Sequence, residues 1–217
     1  MLSNSREVSS NQSGPHTRLA ETVSRHLESS FRRPVAQHSE SAYSALASEL
    51  ARKPRPIVLD SFCGTGMSTA QLAQRHPGHL VVGVEQSAHR LAKHENQPGD
   101  YLLLRANCED IWQLLLRDNW QLDYHYLLYP NPWPKGKHLQ RRVHGHASFP
   151  WLLQLGGTVE LRSNWQLYVE EFGLAMHIAG RRGAVARVSD QPPLTLFEEK
   201  YRSSGQCLWR YFSNAAP

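Results

Sequence analysis

A glycine-rich turn occupies residues 59–66, whose sequence is LDSFCGTG. Gly64 and Gly66 allow the backbone to turn tightly and to approach a bound molecule closely. The acidic side chain of Glu85 follows 19 residues after Gly66, at the end of the next apolar run. An acid in that position can accept hydrogen bonds from ribose hydroxyls. With Asp60 at the start of the turn, the spacing predicts a site for a nucleotide-like ligand.

Two other interpretations of this turn remain open. A dinucleotide fingerprint requires a third glycine three positions after the second, and Thr69 occupies that place. A lone Gly-x-Gly turn also arises from backbone geometry without any ligand. The ordered set of strand, acid, two glycines, helix, strand and second acid favours a ligand site over both.

A second segment that could do chemistry is the loop at residues 129–135, whose sequence is YPNPWPK. Three prolines in five residues fix backbone torsions and remove N–H donors, so the loop is rigid. It follows a predicted strand and holds Asn131 on a stiff frame, which suits the positioning of a reacting group. The alternative is a stiff turn in which Trp133 packs as a cover.

A basic run continues from this loop. Residues 135–146, KGKHLQRRVHGH, contain four Lys or Arg, three His and no acidic residue. This density of positive charge predicts contacts to phosphate, with Arg141 and Arg142 as candidates. A solvated charge run is the alternative. The three His lack a carboxylate at metal-binding spacing, so no metal is expected.

Alternating strands and helices must position these segments. Uninterrupted apolar runs separated by helix-length segments are typical of a parallel sheet covered on both faces. The predicted strands are 57–59, 80–84, 101–104, 124–129 and 158–161, and the predicted helices are 68–76, 88–94, 110–117 and 165–178. The fold class is therefore α/β, with a doubly wound, mostly parallel, Rossmann-like sheet. Two late strands, 184–188 and 208–212, have no helix pattern between them and are expected to form an antiparallel pair at one edge.

A helical extension precedes this sheet. Residues 1–17 are rich in Ser, Asn and Gln and are predicted to form a loose tail. Apolar residues at helical spacing then predict two helices, marked by Leu19, Val23, Leu27 and Phe31 and by Tyr43, Leu46 and Leu50. The expected organisation is an extension over residues 1–55 and an α/β domain over residues 56–217.

Composition narrows the possible function classes. The chain has 217 residues, with 24 Lys plus Arg against 19 Asp plus Glu, and this net charge of +5 is compatible with a nucleic-acid partner. Three cysteines without a CxxC pair argue against a disulfide scaffold or a thiolate zinc site. No apolar run approaches the ~20 residues of a membrane span, and the first residues carry no signal-peptide core. The expected location is the cytoplasm, without a membrane partner.

The glycine turn resembles the first motif of the S-adenosylmethionine-dependent methyltransferases, an acid followed by Gly-x-Gly-x-Gly. Phe62 stands at the first of the three glycines, and we expect it to change the packing beneath the methionine part of the cofactor. The resemblance implies S-adenosyl-L-methionine as cofactor, with Asp60 at its amino-acid end and Glu85 at its ribose. Asn107 stands where an Asp often holds the adenine amino group, and a helix N-cap is the alternative.

The proline loop makes the resemblance more specific. The chain is similar to the bacterial tRNA (guanine-N7)-methyltransferase family, which carries Phe or Tyr, Pro-Asp-Pro-Trp, a Lys two residues on, and His-x-x-Arg-Arg. The matching positions are Tyr129 to Trp133, Lys135, His138, Arg141-Arg142, Gly156-Gly157, Ser163-Asn164-Trp165 and Thr195 to Glu198. The similarity spans residues 57–212.

This resemblance implies roles for several side chains. Asn131 would lie between cofactor and base as the catalytic residue, and Lys135 and Asn164 would contact the target nucleotide. A segment near the C-terminus would close over the substrate, namely Thr195, Phe197 and Glu198. The alternatives are an exposed cation at Lys135, a helix cap at Asn164 and a Thr-x-x-Glu capping box.

The family has Asp where this chain has Asn107, Asn131 and Asn164. N7 of guanine carries a free lone pair, so its methylation requires alignment and exclusion of water rather than a general base. Loss of a well-placed charge or dipole can cost ~3 kcal/mol of transition-state stabilisation. We expect a methyltransferase that acts on tRNA at guanine N7. The alternatives are another RNA site, a small-molecule acceptor, or an RNA-binding protein with weak catalysis.

Overall fold

One sheet organises the part of the chain that the computed structural model describes, residues 5–188 and 192–213. Its strands are β1 (Ile57–Ser61), β2 (Leu80–Glu85), β3 (Tyr101–Arg105), β4 (Tyr124–Leu128), β5 (Thr158–Ser163), β6 (Ala184–Arg187) and β7 (Trp209–Phe212). The spatial order is β3-β2-β1-β4-β5-β7-β6, with β1 to β5 parallel. The predicted doubly wound α/β fold is confirmed.

The late strands form the predicted antiparallel pair. Strand β7 lies between β5 and β6 and runs antiparallel to both, so β6 is the outermost strand. A helix lies between these two strands in the sequence, where the Thr-x-x-Glu spacing of Thr195 and Glu198 was the signal for its start. That helix is short and mostly exposed, so its sequence carries little apolar periodicity.

Helices cover both faces of the sheet. They are α1 (Leu19–Glu28), α2 (Gln37–Arg52), α3 (Met67–Arg75), α4 (Ala88–Leu91), α5 (Cys108–Arg117), α6 (Phe149–Leu155), α7 (Gln166–Ile178) and α8 (Leu196–Ser203). Two short 3₁₀ helices, Gly136–Arg141 and Val143–Gly145, follow β4. None of the described helices is long and apolar enough to cross a membrane.

The helical extension packs on the sheet rather than apart from it. Leu19, Val23 and Leu46 are buried in the same core as Ile57 of β1 and Phe172 of α7. Helix α1 ends at Glu28, so the predicted apolar stripe is shorter than expected. Leu27 is 38% exposed, and Phe31 lies beyond the helix, where it packs on Trp151.

The polar N-terminal segment is also held in place, contrary to the prediction of a loose tail. Residues 1–4 of that predicted tail lie outside the described residues. Further on, Gln12 and the backbone N–H of His16 donate to the buried carboxylate of Glu171, and Ser10 donates to the carbonyl of Pro134 at 2.7 Å. Composition could not reveal this, because the partners of these polar groups are more than 120 residues away.

Strand order defines where a ligand is expected. The chain moves outward from β1 through β2 to β3, then returns to the other side of β1 with β4 and β5. Ligands of such sheets bind beyond the carboxyl ends of the strands at this switch point. The glycine turn follows β1 and the proline loop follows β4, so both lie at that position.

Candidate active site

A cleft of about 430 Å³ opens at the carboxyl ends of the central strands. Its walls come from the turn after β1, the end of β2, the start of α5, the proline loop after β4, and α8. Residues that line it include Phe62, Glu85, Asn131, Arg141, Asn164 and Phe197. The fold therefore brings together side chains that the sequence separates by more than 100 positions.

The glycine turn forms the floor of an adjacent cavity of about 290 Å³. Gly64 and Gly66 have φ of +62° and +79°, in the left-handed region that favours glycine. A Cβ on Gly64 would meet no atom within 4 Å, so the backbone there faces open space. A Cβ on Gly66 would lie 2.7 Å from the side chain of Leu103. The first glycine thus exposes the backbone to a ligand, and the second permits close packing on β3.

Asp60 supports the turn from below. Its side chain is fully buried, and Oδ2 accepts hydrogen bonds from Ser68 Oγ at 2.6 Å and Thr69 Oγ1 at 2.7 Å. Burial raises the pKa of Asp60 to about 6, although the two hydrogen bonds lower this pKa and so offset part of the effect. The side chain lines neither cavity. Asp60 orients the first turn of α3 through these hydrogen bonds, and its place at the amino-acid end of the cofactor stays a prediction.

Glu85 is positioned as predicted, at the end of β2 and in the wall of the cleft. The backbone N–H of Ser87 donates to its Oε1 at 2.8 Å, which fixes the carboxylate. Arg90, which sequence reasoning missed, lies 3.3 Å from the other oxygen and is 54% exposed. The carboxylate is only 3% exposed and retains acceptor capacity toward the cleft.

Asn107 occupies the N-cap position of α5, but its side chain does not cap the helix. Its Nδ2 donates to Asp110 Oδ2 at 3.0 Å, and its backbone N–H donates to Ser39 Oγ at 3.2 Å. The neighbouring residues Ala106 and Cys108 line the cleft, whereas Asn107 does not. A direct contact from Asn107 to the cofactor remains a prediction.

The proline loop holds Asn131 at the mouth of the cleft. Asn131 is exposed, and its Oδ1 accepts from the backbone N–H of Trp133 at 3.4 Å. Tyr129 and Trp133 have φ of +55° and +44°, which is unusual for bulky residues. Such backbone strain persists where the surroundings impose it, and it concentrates at functional sites.

The two adjacent arginines have different environments. Arg141 is exposed, lines the cleft and stacks its guanidinium 4.8 Å from the ring centre of Trp133. Arg142 is fully buried, forms an ion pair with Glu171, and donates to the carbonyl of Trp133 at 3.2 Å. The prediction that Arg142 contacts RNA is wrong for this structure, because its side chain is turned into the protein. It instead anchors the proline loop.

Glu171 is the centre of a buried polar cluster that also includes Arg142 and His144. Burial alone would raise the pKa of Glu171, but the hydrogen bond from His144 and the charge of Arg142 lower it to about 2. Gln12 connects the N-terminal segment to the cluster by contacting both Glu171 and Arg142. No local pattern marks this cluster, because Glu171 and Gln12 lie 29 and 130 residues from Arg142 in the sequence.

The other predicted substrate residues divide between the cleft and its surroundings. Asn164 lines the cleft and donates to Gln206 Oε1 at 2.9 Å. It does not cap α7, whose N-cap is Trp165. Lys135 is exposed next to the cleft and does not line it.

The C-terminal motif forms the start of α8. Thr195 caps this helix, because its Oγ1 accepts from the backbone N–H of Glu198 at 3.0 Å. Glu198 is fully buried in ion pairs with Arg162 and Arg202. The prediction that Glu198 contacts substrate is therefore corrected, since it holds α8 against β5.

Phe197 remains accessible on this helix. It is 41% exposed and lines both the cleft and the glycine-turn cavity. Tyr201, which the sequence analysis missed, also lines the cleft and stacks on Phe197 with a ring-centre distance of 6.2 Å. A second aromatic residue one helical turn after Phe197 was the available signal.

The possible metal ligands are the His, Cys, Asp and Glu side chains of residues 5–188 and 192–213. No group of three or more His, Cys, Asp or Glu there has the arrangement to hold an ion. The expectation that no metal takes part stays a prediction.

Comparison with known proteins agrees with this architecture. A family model described as "Putative methyltransferase" matches residues 54–211. The tRNA (guanine-N(7)-)-methyltransferase of Nitrosococcus oceani is 30% identical over 171 residues, covering 70% of this chain and 68% of the relative. The enzyme of the same name from Photobacterium profundum is 28% identical over 183 residues, covering 74% and 71%.

A solved structure shows the same fold. The plantazolicin methyltransferase BamL, determined in complex with a triazolic desmethylPZN analogue and SAH, superposes with a TM-score of 0.50 at 13% identity. The superposition covers 91% of this chain and 98% of BamL, and at this identity it concerns the fold alone. The family match, the relatives and the geometry of the cleft agree with the motifs in the sequence. The chain belongs to the tRNA (guanine-N7)-methyltransferase family.

Proposed function

We propose that this protein transfers the methyl group of S-adenosyl-L-methionine to N7 of a guanine in tRNA. The observation that carries the proposal is the shared cleft, in which Glu85 and the stiff loop bearing Asn131 face the same space. The activity named for its relatives supports the same reaction. A tRNA substrate supports the cytoplasm as the location.

The residues of the cleft fit the cofactor. Glu85 offers a fixed carboxylate to the two ribose hydroxyls, which are donors. The open space above Gly64 allows the backbone of the turn to contact the amino-acid end. When bound, S-adenosyl-L-methionine supplies a methyl group on a positively charged sulfur.

The chain itself aligns the base and excludes water. Asn131 and Asn164 can accept hydrogen bonds from the N1–H and the amine of guanine, because each amide has one oxygen acceptor. The aromatic rings of Phe197 and Tyr201 cover the cleft on the side of α8. These contacts would hold the N7 lone pair in line for transfer, which is the main requirement of a reaction without a general base.

Positive charge outside the cleft supports an RNA substrate. Arg141 and Lys135 are exposed at and beside its mouth, where they can contact phosphates without entering the methyl-transfer site. Arg142 contributes indirectly, by fixing the backbone of the proline loop at Trp133. A small-molecule acceptor would not require cations at these positions.

The test is transfer of labelled methyl from S-adenosyl-L-methionine to unmodified tRNA, followed by nucleoside analysis. We expect 7-methylguanosine as the labelled product. A different methylated nucleoside would reassign the target base. Absence of transfer together with normal binding of S-adenosylhomocysteine and tRNA would favour an RNA-binding role.

A further inference from the structure

Phe62 adopts a backbone conformation that suits glycine. Its φ is +64°, in the left-handed region, where a Cβ and a bulky ring are disfavoured. The backbone N–H of Phe62 donates to Cys108 Sγ at 3.2 Å, and the next residue, Cys63, donates to the carbonyl of Val84 at 3.0 Å. The turn therefore keeps its shape despite the large side chain, and the ring projects from a fixed point.

The ring of Phe62 lies at the boundary between two spaces. Phe62, Arg90 and Phe197 are the residues that line both the Glu85 cleft and the glycine-turn cavity. The ring also contacts Trp112 edge-to-face, with a centre distance of 6.2 Å. Because Trp112 lies in the wall of the cleft, this contact holds the ring toward the Glu85 side.

We propose that the ring of Phe62 is a partition between the Glu85 cleft and the glycine-turn cavity. It lowers the affinity for ligands that must occupy both spaces. A ligand that extends from Glu85 to the glycine turn requires the ring to turn aside, whereas a ligand confined to the Glu85 cleft does not. The apparent affinity for the longer ligand then equals the intrinsic affinity multiplied by the fraction of molecules in which the ring is displaced, so a small fraction means weak binding. This inference rests on the proposed function, because it assigns the two spaces to the two ends of one cofactor.

Calorimetric titration of the full-length protein with S-adenosylhomocysteine and, separately, with adenosine tests the partition. Phe62→Gly removes the ring and relieves the backbone strain, whereas Phe62→Ala removes the ring and retains the strained Cβ. We expect both variants to bind S-adenosylhomocysteine about five- to tenfold more tightly, which corresponds to loss of one aromatic contact of ordinary strength. Adenosine affinity should change by less than about twofold, because its site lies on one side of the ring.

The possible outcomes separate the partition from the proposed function. Weaker binding of S-adenosylhomocysteine in both variants would overturn the partition, because the ring would then form part of the cofactor's binding surface. Equally tighter binding of both ligands would also overturn the partition, since a general change in the site would be the cause. Tighter binding in Phe62→Gly alone would overturn it as well, because relief of backbone strain would then be the cause. Unchanged S-adenosylhomocysteine affinity in variants that bind it would overturn the partition alone. No binding by any form would overturn the proposed function and the partition with it.

Discussion

The two sides of the cleft are built by different means. On the Glu85 side, the functional groups are fixed by neighbours in the sequence: Asp60 binds side chains eight and nine residues later, and Glu85 binds Ser87. On the proline-loop side, the support comes from distant partners. Arg142 pairs with Glu171, 29 residues away, and contacts Gln12, 130 residues away. The two carboxylates of the cofactor side are thus held by residues close in sequence, whereas the RNA side depends on buried long-range polar contacts.

The largest expected effect is a difference in the free energy of unfolding between alanine variants of the two adjacent arginines. Arg142→Ala should lower the free energy of unfolding by about 3–5 kcal/mol, because it leaves the Glu171 carboxylate buried without its ion-pair partner. Arg141→Ala should change it by less than about 1 kcal/mol, since only an exposed stacking contact is lost. Urea denaturation of the two variants measures both values. Equal stability of the two variants would remove the distinction between an anchor and a surface cation.

The same cluster predicts a dependence of stability on pH. The pKa of Glu171 is about 2 in the folded protein, below its usual value, so its contribution is complete above about pH 4.5 and is lost as the pH falls toward 2. This difference corresponds to about 3 kcal/mol. Glu171→Gln should be less stable than the parent at pH 7, and the gap should narrow steadily below pH 4.5. A gap that stays constant down to pH 3 would contradict the role of the ionised carboxylate.

On the cofactor side, Glu85→Ala should weaken binding of S-adenosylhomocysteine at least tenfold, about 1.5–3 kcal/mol, through loss of a hydrogen-bonded anion. Stability should change little, because the side chain is held by one backbone N–H and by an exposed arginine. Glu109→Ala removes a carboxylate from the same cleft and should change the affinity by no more than about twofold. Calorimetry with both variants makes the comparison, and equal losses would indicate a general electrostatic effect.

The smallest effect concerns RNA. Arg141→Ala should reduce the slope of tRNA affinity against salt concentration, on logarithmic axes, by ~1, which corresponds to one phosphate contact. Arg75→Ala removes an exposed arginine at the end of α3, away from the cleft, and should leave the slope unchanged. Filter binding over a range of salt concentrations measures both variants. An equal reduction of the slope in both variants would mean that the basic run at residues 135–146 is a solvated charged surface without specific phosphate contacts.

The pattern of successful prediction follows the same division. The strands themselves, the glycine turn and the place of Glu85 at the end of β2 were predictable, because they depend on apolar runs and on residues close in sequence. Arg142 was assigned to phosphate contact from its charge and Glu198 to the substrate from the resemblance, and neither argument gives information about burial. Their partners, Glu171 and Arg162, are 29 and 36 residues away, and no local pattern marks them. The fixed N-terminal segment was missed for the same reason, since its polar side chains have buried partners that only the fold supplies.

In our proposal, one side of the cleft binds the cofactor and the other binds RNA. Steady-state kinetics of methyl transfer tests this division most directly. Glu85→Ala and Arg141→Ala are compared with the parent while S-adenosyl-L-methionine and tRNA are varied independently. We expect Glu85→Ala to raise the KM for the cofactor, with activity recovered at high cofactor concentration, and Arg141→Ala to raise the KM for tRNA alone. Loss of kcat that neither substrate restores, or a change in the same KM in both variants, would contradict the account.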